Sequence, residues 1–283
     1  MLLIPAALAY ETDQITLRAE PVDDITDVAN REAEHLIDHA VEVTNRLTGC
    51  HASREKTVRT LAAQIYRATS HSVFIPDRGE LNGFGHSAYS AWLETAPVSR
   101  RTFPDGTSIY GDIDPTEAFV LGAAGICSTV KIAGVLMGTD KPDHFFAQGY
   151  EYLLASNQGR NDAAAVAWGT RSELGIYGLL TSDAFSWADL YANWQGYQFY
   201  TGLLKQGSVL EYDEEGCVTR AHAWDWGDWL DEGADELINP PVYTDHVGAV
   251  VRSRLQRQRA AVCDGWSEWG PPAMARRAPI IAR

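Results

Sequence analysis

The longest periodic run of apolar residues in this sequence lies between residues 22 and 48. Its apolar side chains recur at spacings of three and four, the period of one face of an α-helix: Ile25, Val28, Ala29, Ala33, Leu36, Ile37, Ala40, Val43 and Leu47. Gly49 follows the run, and glycine is common just after a helix because it adopts positive φ without strain. The run therefore predicts a long amphipathic helix that ends before Gly49.

The rest of the chain predicts further helices around one small β element. Weaker or shorter helical patterns cover about 54–69, 141–157, 161–174, 186–204 and 244–262. Two short strands are expected within 125–137, joined near Ala133 and Gly134, and a hairpin within 207–220. Residues 70–117 are rich in Gly, Pro, Ser and Asp and are predicted to be mostly irregular. The expected fold class is α+β, mainly α, with a small hairpin and long irregular loops.

The amino-acid composition excludes several classes of protein. An apolar fraction of 45% excludes wholesale disorder, and no apolar run approaches the roughly 20 residues that a membrane span needs. With 38 acidic and 23 basic side chains the formal net charge is −15, which disfavours nucleic acid as a partner. We expect one globular domain over residues 10–265, with its functional core at about 125–204, and a mobile tail at 266–283. The oligomeric state is left open.

The first residues and the cysteines indicate export. Residues 1–9 read MLLIPAALA, a short apolar stretch with a small-x-small end, which is expected to be the remnant of a signal peptide. The four cysteines form no C-x-x-C pair, so a zinc–thiolate site is not expected. In an exported protein they predict up to two disulfides, with three possible connectivities. The expected location is periplasmic or secreted.

His144, Gln148 and Glu151 form the first candidate site. A helix that starts near Pro142 places them at i, i+4 and i+7 on one face. Phe145 and Tyr152 are expected on a neighbouring stripe that faces the core. A histidine, an amide and a carboxylate in line can position a substrate, bind a metal or form a buried polar network. Before this helix, Asp140 is expected to cap the N-terminus.

Glu173 is the second candidate. It is predicted in the last turn of a helix, against the apolar side chains of Trp168, Leu174 and Tyr177. The negative end of the helix dipole and desolvation both oppose ionisation, so the pKa of Glu173 should rise. A carboxylic acid that stays protonated near neutral pH can protonate a glycosidic oxygen as general acid. The structural alternative is a surface ion pair between Glu173 and Arg171.

A turn that carries Thr181, Ser182 and Asp183 follows Glu173 and precedes the next helix. Glycoside hydrolysis needs a second carboxylate, and its separation from the first decides between retention and inversion of configuration. Three residues could supply it: Asp183, Asp189 and Glu151. Asp189 also has the spacing of a capping box with Ser186, which accounts for it structurally.

A helix that ends at Glu173, followed by a Gly/Thr-rich turn and another helix, resembles the arrangement in the lysozyme superfamily, which includes chitosanases and phage lysozymes. In that family the acid Glu closes the first core helix and a small β element forms the wall of the cleft. The segments GTDKPDHFFAQGYEY and GLLTSDAFSWADLYANWQGYQFY are also similar to a group of exported bacterial proteins that is taken to include a lysozyme specific for deacetylated peptidoglycan. The resemblance covers about residues 125–200 and implies a lysozyme-like helical core. The long Gly-rich hairpin that usually follows the Glu is compressed here, so the resemblance does not identify the second carboxylate.

The resulting expectation is an exported hydrolase of glucosamine-containing, deacetylated cell-wall polymer, with Glu173 as general acid and Glu151 or Asp183 as its partner. No cofactor and no metal are expected for this chemistry. The residues expected to bind the polysaccharide are His144, Gln148, Thr181, Ser182 and Tyr177. Residues 211–236 hold ten acids and three tryptophans. They form either an acidic, aromatic subsite for cationic sugars or a solvated loop.

Two other functions stay open at this stage. The first is a non-catalytic exported module that binds envelope glycan or another protein. The second is a metal-dependent hydrolase centred on His144 and Glu151. Nucleotide use is not expected, because the chain contains neither a P-loop nor a dinucleotide-binding glycine motif.

Overall fold

The computed structural model describes residues 11–73, 86–103, 106–113, 126–175, 177–180 and 182–264. The expected signal remnant at 1–9, the tail at 266–283 and Thr181 lie outside these ranges. In the part that is described, no helix has both the length and the apolar character needed to cross a bilayer.

The described chain is mainly α-helical with small antiparallel sheets, as the sequence predicts. The helices are α1 (Thr26–Thr48), α2 (Arg54–Ser70), α3 (Ala88–Thr95), α4 (Lys141–Asp143), α5 (Gly149–Ala155), α6 (Asp162–Glu173), α7 (Trp187–Gly202) and α8 (Asp245–Asp264). A π-helical turn, His144–Gln148, joins α4 to α5. The strands are β1 (Ser72–Val73), β2 (His86–Ser87), β3 (Thr129–Ile132), β4 (Val135–Gly138), β5 (Ala184–Phe185), β6 (Leu210–Tyr212), β7 (Val218–Arg220) and β8 (Val242–Tyr243).

Side-chain caps fix where several helices begin. The hydroxyl of Ser53 accepts from the backbone N–H of Lys56 at the start of α2. Ser186 accepts from the backbone N–H of Asp189 at 3.2 Å, which confirms Ser186 as the N-cap of α7. The predicted capping box is not completed, because the Ser186 N–H donates to Glu173 Oε1 and not to Asp189. These contacts satisfy backbone donors that a helix leaves without intrahelical partners. The sequence therefore locates these helices to within a few residues.

The β element predicted near residue 130 is a tight hairpin. β3 pairs with β4 in a register that sets Thr129 opposite Gly138 and Ile132 opposite Val135. The two turn residues, Ala133 and Gly134, have φ values of 52° and 77°. Two consecutive positive φ angles match the right-handed twist of the strands, which makes this turn type common in hairpins. β6 and β7 form the second predicted hairpin, whereas the pairing of β5 with β8 was not predicted.

Aromatic side chains fill the centre of the fold. Phe145 and Phe146 of the π-helical turn pack against Phe199 of α7 and the indoles of Trp224 and Trp226. Trp224 and Trp226 are buried, so of the two interpretations of segment 211–236, an exposed subsite cannot use these two rings. The segment folds inward because burying an indole removes a large apolar area from water.

One helix was not predicted, and one of the possible disulfides is identified. The prediction that 70–117 is mostly irregular missed α3, whose buried Tyr89 and Leu93 anchor it to the core. Of the possible disulfides, Cys50–Cys217 is present and joins the end of α1 to the β6–β7 hairpin. Cys127 keeps a buried thiol. The disulfide is compatible with an exported protein.

Candidate functional site

A fully buried lysine forms the centre of the candidate site. Lys141 opens α4 directly after the β3–β4 hairpin. Its Nζ lies 2.8 Å from Asp140 Oδ2, 2.5 Å from Asp189 Oδ1 and 2.7 Å from Glu236 Oε1. Burial opposes the charge on Nζ, but the surrounding carboxylates outweigh it and raise the pKa of Lys141 well above 10.5. We call Asp140, Lys141, His144, Asp189 and Glu236 the Lys141 cluster.

Three separate parts of the chain supply the cluster. Asp140 follows β4, Asp189 lies in the first turn of α7, and Glu236 follows a 3₁₀ turn at Glu232–Ala234. The expectation that Asp140 caps α4 is wrong, because its side chain makes no capping hydrogen bond and contacts Lys141 instead. A buried ammonium attracts a carboxylate more strongly than a backbone N–H can.

His144 and Gln148 are brought together through Asn193 of α7. Nδ1 of His144 lies 3.0 Å from the Asn193 amide, whose other end lies 2.9 Å from Gln148 Oε1. With its nitrogen toward His144, the amide also reaches the carbonyl oxygens of His144 and Asp189 at 3.2 and 3.1 Å. On the other edge of the ring, Nε2 lies 3.2 Å from Asp189 Oδ2. His144 therefore belongs to a buried polar network, one of the three roles that the sequence left open.

The hydrogen bonds of Glu151 are made to Trp168 and Tyr177, and its link to His144 is electrostatic. The π-helical turn is wider than an α-turn, so it changes the face on which later residues emerge. Glu151 accepts hydrogen bonds from the Tyr177 hydroxyl at 3.2 Å and from Trp168 Nε1 at 3.4 Å. Burial raises its pKa. We call Glu151, Trp168 and Tyr177 the Glu151 site. Trp168 is 40% exposed, so this site reaches the surface.

Glu173 is the last residue of α6, as predicted, and has no exposed surface. Its Oε1 accepts the backbone N–H of Ser186 at 2.8 Å, and its Oε2 has no hydrogen-bond partner within the described ranges. Burial, followed by repulsion from Asp189 and Glu11, raises the pKa of Glu173 well above 4.5. This environment favours the protonated form of the carboxyl.

The surroundings of Glu173 differ from those expected. Arg171 does not pair with it, because its Nε donates to the carbonyl oxygen of Ala167. Leu174 is half exposed and does not cover the carboxyl. The backbone of Gly178 does: a Cβ at that position would lie 2.9 Å from Glu173 Oε1. Backbone of the turn thus contributes to the enclosure of the acid.

The turn after α6 separates the remaining predicted residues. Ser182 is buried, and its hydroxyl donates to Glu11 Oε1 at 2.5 Å. Asp183 has a φ of 56°, and its carbonyl oxygen accepts the backbone N–H of Thr244. The charged groups that act on Glu173 are Asp189, Glu11 and Lys141, and Asp183 is not one of them. Among the proposed second carboxylates, Asp189 is the one that the fold places in electrostatic contact with Glu173.

Sequence reasoning missed Glu11, Lys141 and Glu236. Burial raises the pKa of Glu11 to about 8, with a further contribution from Asp189. Burial also raises the pKa of Glu236 well above 4.5, against the opposing effect of Lys141. No local motif marks these three residues, because their partners are distant in sequence. The one weak signal in the sequence concerns Lys141, which directly follows Asp140 at the end of an apolar hairpin.

The described residues line two cavities away from the cluster. One, of about 620 Å³, lies between α1 and β7 beside Arg220 and His222. The other, of about 350 Å³, lies between α1 and α2 and is lined by His35, His39 and His71. Neither cavity is lined by a residue of the Lys141 cluster or by Glu173.

No protein-family model, no curated protein and no solved structure matches this chain. The functional argument therefore rests on the geometry of the site.

Proposed function

We propose that the protein is an exported hydrolase of glucosamine-containing glycan, with Glu173 as its general acid. The observation that carries the proposal is the environment of Glu173, a carboxyl at a helix end that is buried, has a raised pKa and is anchored through one oxygen. Its second oxygen has no partner among the described residues, so it is the one that would face a glycosidic oxygen. A lysozyme-like arrangement of the helical core belongs to the same proposal.

Asp189 is the proposed partner of Glu173. Burial opposes its ionisation, but the neighbouring His144 and Lys141 outweigh burial and lower its pKa below 3.8. The surroundings thus favour the protonated form of Glu173 and the ionised form of Asp189 within one buried region. Environments that push the pKa values of two carboxyls apart are the basis of acid–base pairs in glycosidases. Lys141 supports this division of roles by fixing the charge of Asp189.

The Glu151 site is suited to hold the polymer. The half-exposed indole of Trp168 can stack on a sugar ring, and Glu151 beside it can attract a glucosamine ammonium. The net charge of −15 favours a cationic, deacetylated polymer over an anionic one. Because Glu173 has no exposed surface, the proposal requires the turn that follows α6 to move away from it when the polymer binds.

The closure over Glu173 favours a second candidate, a non-catalytic module that binds envelope glycan. Such a module needs the exposed Trp168 and Glu151 but makes no use of a protonated Glu173. It would bind the polymer without releasing reducing ends. The disulfide between Cys50 and Cys217 supports export for either candidate.

Release of reducing ends from chitosan and from deacetylated and acetylated peptidoglycan tests the proposal. We expect turnover on the deacetylated polymers and its loss, by at least about 100-fold, in Glu173→Gln. Polymer binding and the melting temperature should stay close to wild type, because glutamine keeps the acceptor for Ser186. Glu55→Gln, on the exposed surface of α2, is the matched control. An active Glu173→Gln protein would overturn the assignment, and binding without turnover in the wild type would favour the module.

A further inference from the structure

Asp140, His144 and Asp189 converge on one point in the interior. One potential ligand atom from each residue can be chosen so that all three lie within 4.8 Å of one another. All three side chains are nearly inaccessible, at 2–4% exposure. Among the described residues this is the group of histidine and acidic side chains with such spacing.

Lys141 binds only one of the two carboxylate oxygens of each aspartate. Its Nζ binds Oδ2 of Asp140 and Oδ1 of Asp189. Oδ1 of Asp140 has no hydrogen-bond partner in the described chain, and neither has Nε2 of His144, which lies near Oδ2 of Asp189. Buried polar atoms without partners lose their hydrogen bonds to water on folding, so native proteins rarely keep them without a reason. The atoms left over are two carboxylate oxygens and one imidazole nitrogen.

We propose that Asp140, His144 and Asp189 bind one divalent transition-metal ion in the interior, beside the ammonium of Lys141. An imidazole nitrogen with two carboxylate oxygens suits Mn²⁺ and Zn²⁺ better than Ca²⁺ or Mg²⁺, which prefer oxygen ligands alone. The site shares Asp189 with the proposed function but does not include Glu173, so metal binding can be tested without glycan turnover.

The orientation of the Asn193 amide determines which nitrogen of the His144 ring carries the proton. With Asn193 Oδ1 facing Nδ1 at 3.0 Å, Nδ1 carries the proton and the lone pair of Nε2 is available to a metal. The reversed amide donates to Nδ1, which places the ring proton on Nε2. Metal binding therefore selects the first orientation, at the cost of the contacts that the reversed amide makes with two carbonyl oxygens.

The charge of the region decides whether a second cation can be accommodated next to Lys141. Glu236 contacts Nζ directly, and Glu11 and Glu173 act on the same cluster. Together with Asp140 and Asp189, five carboxyl groups surround one ammonium. Glu11 and Glu173 favour their neutral forms, so a dication close to Lys141 is repelled by that one charge and attracted chiefly by Asp140 and Asp189, and the balance favours binding.

The test is metal binding to the full chain after treatment with a chelator. Titration with Mn²⁺, followed by calorimetry and by the loss of the free Mn²⁺ electron paramagnetic resonance signal, should give one ion per chain. Asp140→Asn and His144→Gln should each weaken binding by at least about 10–100-fold, the loss typical of groups that support a metal site. His39→Gln is the matched control, because His35 and His39 lie one turn apart on α1 beside the smaller cavity.

Circular dichroism without metal will show whether each variant folds. If a variant does not fold, pulsed resonance of Mn²⁺ in the wild type gives the answer through a coupling to a single imidazole nitrogen. The absence of stoichiometric binding to folded wild type would overturn the proposal. So would a bound ion that shows no imidazole coupling, or one lost in His39→Gln and retained in His144→Gln. Each readout is independent of glycan turnover, so this proposal and the proposed function can fail separately.

Discussion

A buried ammonium such as that of Lys141 depends on its partners for its stability. Three carboxylates lie within 2.8 Å of Nζ, and they replace the water that the charge loses on folding. Removing one partner of a buried ion pair costs far more than the pair contributes, since the remaining charge is left uncompensated. The residues of the Lys141 cluster are therefore coupled, and the loss of one changes the protonation of the others.

Lys141→Met tests this coupling. We expect it to lower the free energy of unfolding by about 3–5 kcal/mol at neutral pH, because Asp140 and Asp189 lose their counter-ion. The loss should become smaller as the pH falls and these carboxyls are protonated. Chemical denaturation at several pH values measures both effects. Lys205→Met, at an exposed position, is the control and should change stability by less than about 0.5 kcal/mol. Equal stability of the two variants would contradict the prediction.

Glu11 makes stability depend on pH. Burial and the repulsion of Asp189 raise its folded pKa to about 8, from 4.5 in the unfolded chain. The folded state therefore holds a proton that the unfolded state has already released. The contribution of Glu11 to stability is fully present below about pH 4.5 and is lost as the pH rises through 8.

Glu11→Gln should remove that loss. Glutamine keeps an acceptor for the Ser182 hydroxyl and cannot ionise. The variant should match wild type at about pH 5 and exceed it by ~2–4 kcal/mol at pH 9, since one unit of pKa shift corresponds to about 1.4 kcal/mol. Urea denaturation across this pH range is the measurement. A difference between the two proteins that does not change with pH would show that Glu11 ionises normally in the folded state.

At the scale of elements, two glycines allow α7 to approach the π-helical turn and α5 closely. Gly196 of α7 lies against the backbone of Phe145 in the π-helical turn, and a Cβ there would overlap the carbonyl oxygen of Phe145. Gly149 of α5 faces Gly196 from the other side, so its own Cβ would meet that backbone. This close approach brings Asn193 of α7 within reach of His144 and Gln148.

Gly196→Ala should therefore separate α7 from the π-helical turn. We expect a loss of about 3 kcal/mol or more, because the backbone atoms that a Cβ meets cannot move aside as a flexible side chain can. Gly202→Ala, in the same helix, meets nothing within 4 Å and should be neutral or slightly stabilising. Thermal unfolding of the two variants measures this difference in stability. A neutral Gly196→Ala would mean that the helices do not pack this closely.

Elements whose signals are local in sequence could be predicted, and contacts between distant residues could not. The start of α7 was predictable from Ser186 and the β3–β4 turn from Ala133 and Gly134, because those signals act within four residues. The candidate site was not predictable, because Asp189 and Glu236, which contact Lys141, lie 48 and 95 residues from it in sequence. No periodicity or spacing encodes such contacts. Glu173 was identified because a carboxyl at a helix end carries a local signal of its own.

At the scale of the whole molecule, one covalent link ties the first helix to the second hairpin. Cys50 and Cys217 are 167 residues apart in sequence, so their disulfide closes a long loop in the unfolded chain. Restricting a loop of this size destabilises the unfolded state, and the loss of such a link typically costs 2–5 kcal/mol. Four members of the Lys141 cluster and Glu173 lie within this loop, whereas Glu236 lies outside it.

Cys50→Ala/Cys217→Ala should therefore lower the free energy of unfolding by roughly 2–5 kcal/mol relative to the oxidised wild type. Reduced wild type should fall to the level of the double variant, and reductant should leave the variant unchanged. Thiol titration of unfolded wild type before and after reduction checks the premise, since a gain of two thiols is expected. The same comparison bears on location. If the reduced protein and the double variant are as stable as the oxidised wild type, the fold and the Lys141 cluster form without the disulfide. The disulfide would then no longer support export.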